Sequence, residues 1–383
     1  MKSRLNIALV SLANPFDRKT WSGSTFFMRE AIQRHLGNVD YIGPHHFPGE
    51  TWKKPFSRWK KRWMGIPDYP QRTESASRHY GNTLTCMLKK KDYDLVFAPA
   101  ASVEIAHLTT SIPILYVSDT TFELVKRDYP IFKNLSQKAK CQEALLESKA
   151  LFKASLISYP SEWAARSAIS HYRVAKKKIA VIPFGANLEQ PPMAADVPPK
   201  SVNGVLRLLF LGKDWNRKGG AIAYETLIAL RQSGIDARLT VCGTLPPSHC
   251  NSSYLKVIPY IDKNIPEQAE KLNRLFQESH LMILPTRAEC YGIVFCEANA
   301  FGLPVYSARV GGVSSIVQDG VNGYLFPPWA NGEVYAWHIK KMLNTKNALE
   351  TLSQQARCRF ENHLNWDSWA KEIRRAVFGV LGI

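Results

Sequence analysis

Short apolar runs alternate with longer amphipathic stretches along this chain, and that alternation constrains its fold more than any other feature. Runs at Leu5–Ser11, Leu95–Ala98, Pro113–Val117, Leu156–Tyr159 and Ala180–Pro183 are followed, after a gap, by Leu206–Leu211, Arg238–Cys242, Leu255–Pro259, Leu281–Leu284 and Pro304–Ser307. Several are apolar at consecutive positions, so both faces of the strand need cover. A parallel sheet with helices on each side supplies it, and strand–helix alternation builds such sheets. The gap, Asn187–Gly204, is rich in proline and polar residues and reads as a linker. With 383 residues the chain can hold two domains of about 100–200 residues each. The expected architecture is therefore α/β, with two doubly wound, Rossmann-like domains. The expected borders are 1–186 and 187–363, with 364–383 as a terminal helix, because Trp366–Leu381 has helical periodicity.

Composition removes several classes. Hydrophobic content of 45% supports a full core and argues against disorder. No apolar run approaches the ~20 residues of a membrane span. The opening, MKSRLNIALVSLANPFD, imitates a short signal peptide, but its apolar part soon gives way to Asn14, Asp17, Arg18 and Lys19; it reads as a buried first strand. The seven cysteines form no CxxC pair, which points to reduced thiols in a cytoplasmic protein and away from zinc. Asp92-Tyr93-Asp94 imitates a metal-binding DxD but leads into the amino end of a strand, and His45, His46 and His171 lack ligand spacing. No metal site is expected.

The net charge of +18 calls for negative partners. The densest basic block, Trp52–Trp63 (WKKPFSRWKKRW), interleaves three tryptophans with six cations. It can be a solvated surface segment whose tryptophans pack on the domain. It can also seat on an anionic membrane surface from the cytoplasmic side, as a peripheral protein would. A grip on a polynucleotide is the third option.

Candidate chemistry lies where loops leave the carboxyl ends of strands, the ligand edge of a doubly wound sheet. The stretch TRAECYGIVFCEA, Thr286–Ala298, places Glu289 in such a loop, turns at Gly292 and puts Glu297 on the next helix. Glu289 can accept hydrogen bonds from a polyol, and Glu297 can bridge two vicinal hydroxyls of a ribose. Gly292, Ile293 and Val294 can offer backbone donors at a helix start. The duller alternative makes Glu289 a helix-start charge and Glu297 a solvated one. GKDWNRKGG, Gly212–Gly220, clusters Lys213, Arg217 and Lys218 at another strand end, which suits a diphosphate or a basic surface turn. It is neither a P-loop nor a GxGxxG fingerprint. WSGST, Trp21–Thr25, can cap a helix and lets a ligand approach Gly23 closely. In YVSDTT, Tyr116–Thr121, Asp119 can bond a sugar hydroxyl or cap a helix.

Taken together, GKDWNRKGG, RAECYGIVFCEANAFGLPV (287–305) and GGVSSIVQDGVNGYLF (311–326) resemble the family-4 retaining glycosyltransferases of the GT-B fold. SEWAARSAISHY with VIPFGAN (161–187) resembles the segment before that family's crossover, and NWDSWAKEI its terminal helix, which returns to the N-terminal domain. The resemblance implies two domains facing a central cleft. It implies an enzyme that moves a hexose from a UDP- or GDP-linked sugar to a hydroxyl acceptor with retention, in glycolipid, envelope polysaccharide or small glycoside synthesis. Glu289 would meet the transferred sugar, Glu297 the ribose, and Lys218 with Lys213 or Arg217 the diphosphate. Gly292–Val294, beside Tyr291, would add donors. The base would lie near Val257–Ile261, so Ile261 joins the donor site. The N-terminal domain would bind the acceptor and bring Gly23 near the phosphates. Many members carry arginine where Lys213 stands, and histidine where Ser118-Asp119 stand, so Asp119 is the residue assigned to the donor sugar there. Catalytic roles fall to Glu289, Lys218 and Asp119, with neither metal nor organic cofactor. Two rivals stay open: a nucleotide-sugar epimerase on the same fold, and a basic nucleic-acid-binding protein. The second is disfavoured because the most specific motifs are ligand loops.

Overall fold

A computed structural model describes residues 4–43 and 70–383 of the chain. The tryptophan-rich basic block Trp52–Trp63 and the pair His45-His46 lie outside the described residues. Two compact units account for the rest. The first comprises Met1–Ile182 with Trp369–Ile383, and the second Pro183–Ser368.

Each unit is built on one parallel sheet, as the both-faced apolar runs require. The first contains β1 (Leu5–Val10), β2 (Gly37–Ile42), β3 (Leu95–Pro99), β4 (Ile114–Val117), β5 (Leu156–Tyr159) and β6 (Ile179–Val181), in the order β2-β1-β3-β4-β5-β6. The second contains β7 (Leu206–Leu211), β8 (Ala237–Cys242), β9 (Leu255–Ile258), β10 (Leu281–Leu284), β11 (Val305–Ala308) and β12 (Gly323–Phe326), in the order β12-β11-β10-β7-β8-β9. The sheets are doubly wound. The winding reverses between β1 and β3, and again between β7 and β10, so the loops after these strands border the crevice where such sheets take ligands. The central strands β3, β4, β5, β10 and β11 are buried throughout.

Two strands were not expected from the sequence, β2 and β12. Both lie at sheet edges. β2 is only partly buried and carries Asn38 and Asp40, while β12 is four residues long. In β2, polar Asn38 and Asp40 interrupt the apolar residues, and in β12 the apolar part is only Tyr324–Phe326, too short to stand out as a strand. Asp94 of the DxD-like triplet accepts a hydrogen bond from the Asn6 backbone N–H at 2.8 Å, at the amino ends of β1 and β3. Among the described residues no group of three His, Cys, Asp or Glu could hold a metal ion, and no helix is long and apolar enough to cross a membrane.

The first unit buries an unusual set of charges. Arg72 binds Glu143 through two hydrogen bonds, of 2.5 and 2.7 Å. Glu104 accepts from the Leu12 N–H at 2.9 Å, and Glu147 from the Phe122 N–H at 2.8 Å, so carboxylates pin the segments after β1 and β4. Burial pushes the Glu147 carboxyl up from its ordinary 4.5 to about 7, against the pull of its hydrogen bonds. A raised acid binds its proton more tightly folded than unfolded. Stability from Glu147 is therefore complete below the unfolded value and is lost as pH rises through about 7. The Glu147→Gln variant keeps an acceptor for Phe122 and cannot ionise. Its advantage over the parent, measured by thermal melts, is expected to grow from pH 5 to pH 8 by on the order of 2–3 kcal/mol. A pH-independent difference would mean that Glu147 titrates normally.

Candidate functional site

The site in the second unit is made by the loops that follow β7 and β10, the two strands at the winding reversal. The first loop is a tight basic turn. Arg217 N–H donates to Asp214 Oδ1 at 3.0 Å, Lys218 N–H to the Asp214 carbonyl at 3.0 Å, and Gly220 N–H to the Trp215 carbonyl at 2.8 Å. Gly219 then caps the helix Gly220–Gln232 with φ +76°. A Cβ at Gly219 would stand 2.0 Å from the Pro285 carbonyl oxygen, so the first loop touches the second backbone to backbone.

Further bonds zip the loops together. The Arg217 carbonyl accepts from Arg287 N–H at 2.7 Å and from Thr286 Oγ1 at 3.2 Å. The Arg217 guanidinium donates to the Ala288 carbonyl at 2.9 Å. This brings Lys218 Nζ onto Glu289 Oε2, with Arg217 Nη1 3.9 Å from the same oxygen. Both Lys218 and Glu289 are largely withdrawn from water. Gly311 closes the far side of Glu289. Its φ is +52°, and a Cβ there would stand 1.7 Å from the Glu289 carbonyl oxygen.

Gly292 caps the helix Ile293–Ala300, so the first amide groups of that helix begin one residue beyond the loop. Glu297 is on this helix and is 1% exposed, which rules out a solvated carboxylate. Its Oε1 accepts from Lys263 Nζ in the loop after β9. Burial raises the Glu297 pKa, and Lys263 pulls it back down.

Other candidates are placed differently. Lys213 lies on Tyr260, 4.4 Å above the ring centre and 3.4 Å from the hydroxyl, and not on Glu289. Ile261, next to Tyr260, is buried. Tyr291 turns its side chain into the core, where its hydroxyl donates to the Phe184 carbonyl at 3.1 Å; that position can offer a ligand its backbone only. In the first unit, Trp21, Ser22 and Gly23 follow one another with φ of +47°, +57° and +94° before the helix Ser24–His35 begins. Two consecutive non-glycine residues in that region are strained, a condition that gathers at functional loops. The Trp21 indole donates to Asp119 Oδ2 at 3.3 Å, tying the loop after β1 to the loop after β4.

Sequence reasoning passed over Lys263 and Gly311, and it reached Tyr260 only as part of the span Val257–Ile261. Gly311 stands in a quoted motif, but its approach to Glu289 depends on a chain crossing that no local pattern encodes. In the rest of that motif, buried Asn322 donates to Asn299 Oδ1 at 2.7 Å and to the Ile316 carbonyl at 3.0 Å, so these residues serve the scaffold.

Residues 200–359 match the family model of glycosyl transferases group 1. A D-inositol 3-phosphate glycosyltransferase of Pseudarthrobacter chlorophenolicus is 31% identical over 183 residues, covering 45% of this chain and 43% of that protein. The chain thus spans less than half the length of that relative. Sucrose-phosphate synthase from Thermosynechococcus elongatus superposes with a TM-score of 0.69 at 18% identity, over 99% of this chain and all of the other. Anabaena HepE, solved with UDP and glucose, superposes with a TM-score of 0.64 at 15% identity, over 98% of this chain and all of the other. At these identities the superpositions speak for the fold, which is GT-B.

Proposed function

We propose, from the match of residues 200–359 to the family model of glycosyl transferases group 1, that this chain moves a hexose from a nucleoside-diphosphate sugar to a hydroxyl acceptor with retention. One observation carries the reading. Two loops at the winding reversal gather Lys218, Arg217 and Glu289, with Glu297 on the helix that follows. That arrangement suits a ligand with hydroxyls at both ends and a diphosphate between them.

In this reading Lys218 and Arg217 face the diphosphate, aided by amide groups of Gly292, Ile293 and Val294. Glu289 accepts from the sugar hydroxyls and Glu297 from the ribose, which shares that carboxylate with Lys263. Tyr260 and Ile261 border the base, with Lys213 over Tyr260. The bond from the anomeric carbon to the diphosphate breaks, and the acceptor oxygen bonds to that carbon on the same face. The acceptor proton passes to the departing phosphate oxygen. Fixed cations aimed at the developing negative charge are the main source of rate. The acceptor is assigned to the first unit, with Gly23 and Asp119 on its loops, and an anionic membrane surface is its setting. No metal or organic cofactor is invoked, so turnover is expected to survive EDTA.

A thermal-shift screen against UDP, GDP, ADP, TDP and their sugars tests the reading. A ligand at 100 times its Kd adds about 2.7 kcal/mol to the state that binds it, which moves the melt of the second unit by several degrees. The Glu289→Ala variant is expected to keep the nucleotide shift and lose transfer. A collapse of nucleotide affinity in that variant would reverse the roles given to the two glutamates. Conversion of the donor sugar without acceptor would make the protein an epimerase.

A further inference from the structure

A second candidate site lies in the first unit, away from the loops that carry Gly23 and Asp119. A pocket of about 660 Å³ opens between the helices Glu74–Leu88 and Gln137–Lys153. Its lining includes Arg78, Asn82, His107, Thr109, Lys149 and Lys153. Thr109 leads into β4 and Lys153 into β5, so the pocket sits by the amino ends of these strands, whereas Asp119 follows the carboxyl end of β4.

The charges there are arranged for an anion. Of three cations, Arg78, Lys149 and Lys153, the first two meet the carboxylate Glu74, at 2.8 and 3.3 Å. His107 supplies a fourth group that can charge. Ser77 Oγ donates to the Val103 carbonyl at 2.5 Å and lies 2.8 Å from His107 Nδ1. Nδ1 therefore carries the proton and donates to Ser77, and Nε2 accepts from Lys149 Nζ at 3.1 Å. Lys153 meanwhile donates to the Leu108 carbonyl at 2.6 Å, where one bond to a neutral oxygen leaves its charge uncompensated. Asn82 and Thr109 add neutral donors. Phe152, 83% exposed, stands at the rim. Lys178 is not part of the set: it donates to the Phe152 and Ala154 carbonyls and closes the carboxyl end of the helix.

We propose that this pocket binds a phosphate group, with Arg78, Lys149 and Lys153 as its ligands and a protonated His107 joining them when the anion is present. The groups that face His107 are Glu74 and Arg78 on one helix and Lys149 and Lys153 on the other. Burial, then Lys149 and Arg78, hold its pKa below the ordinary 6.5, and a phosphate among these cations reverses the charge contribution. The phosphate can come from a soluble ester or from a lipid headgroup, with Phe152 entering the bilayer in the second case.

The test follows the His107 ring by NMR in the whole chain, which reads this pocket and no other. Inorganic phosphate, compared with chloride at equal ionic strength, is expected to raise the His107 pKa. The Lys149→Met/Lys153→Met double variant is expected to bind phosphate at least about tenfold more weakly, since two charge-assisted bonds are lost. Glu74→Gln, which removes the competing carboxylate, is expected to bind several-fold more tightly. Vesicles of phosphatidylglycerol, set against phosphatidylcholine, separate the sources. A shift with the anionic vesicles that Phe152→Ala weakens assigns a lipid headgroup, and a shift with inorganic phosphate alone assigns a soluble ester. A His107 pKa unmoved by phosphate and by both vesicles overturns the site, as does a Glu74→Gln variant with weaker binding and an unchanged fold.

Discussion

The Lys218→Ala variant is expected to turn over at one-hundredth of the parent rate or less. Lys218 Nζ rests on Glu289 Oε2, at the join of the two loops that border the winding reversal. That partner fixes the position of the ammonium before any ligand arrives. A fixed charge costs no reorganisation when negative charge develops on a leaving phosphate. Loss of one such donor costs about 2–4 kcal/mol in comparable sites, and each 1.36 kcal/mol is tenfold in rate. The distribution between constants is informative. If Lys218 acts on the departing diphosphate, kcat falls; if it only holds the donor, KM rises with kcat kept. Arg217, 3.9 Å from the same carboxylate, keeps Glu289 from being left without a cation, so the fold should survive. Rates near those of the parent would remove Lys218 from the site.

Gly311→Ala is expected to be the most damaging single methyl group that can be added near the site. Its φ of +52° disfavours any side chain, and its Cβ would stand 1.7 Å from the Glu289 carbonyl oxygen. Backbone cannot swing away as a flexible side chain can, so the segment bearing Glu289 must move. Overpacking of this kind costs about 1–3 kcal/mol beyond the conformational cost of about 1 kcal/mol. Gly234→Ala is the control. It has φ of +86° with nothing within 4 Å of its Cβ, so it carries the conformational cost alone. Gly311→Ala is thus expected to lower the melting temperature of the second unit by several degrees more than Gly234→Ala, and to reduce transfer, which Gly234→Ala should not. Equal melting temperatures would show that the loop around Glu289 yields freely.

The central strands were legible because burial on both faces forces consecutive apolar residues, as at Leu281–Leu284 and Leu156–Tyr159. β2 and β12 were not, since Asn38 and Asp40 interrupt the first and the apolar part of the second is only Tyr324–Phe326. Site loops were legible to the extent that glycine and charge cluster at strand ends, as in Gly212–Gly220. Partnerships formed by side chains from distant loops were not. Lys263 meets Glu297 across 34 residues, and Lys213 turns to Tyr260 across 47. The direction of the Tyr291 side chain was hidden for a related reason: its neighbours in sequence belong to the candidate ligand loop, while its ring packs in the core around Phe184.

The second unit begins and ends in one place. Phe184 stacks on Trp366 with ring centres 5.6 Å apart, and the Trp366 indole donates to Asn187 Oδ1 at 3.0 Å across 179 residues. A Cβ on Gly185 would stand 2.3 Å from the Trp366 backbone nitrogen. Topologically, the unit is a closed circuit spliced into the first. Bringing ends so far apart together costs on the order of 5 kcal/mol in chain entropy, which these contacts offset together with the Ala186 N–H bond to the Leu364 carbonyl at 2.9 Å. The first and last segments of the unit therefore fray together or not at all. A lesion at Trp366, far along the chain from Pro183, is felt as a loosening of both seams at once.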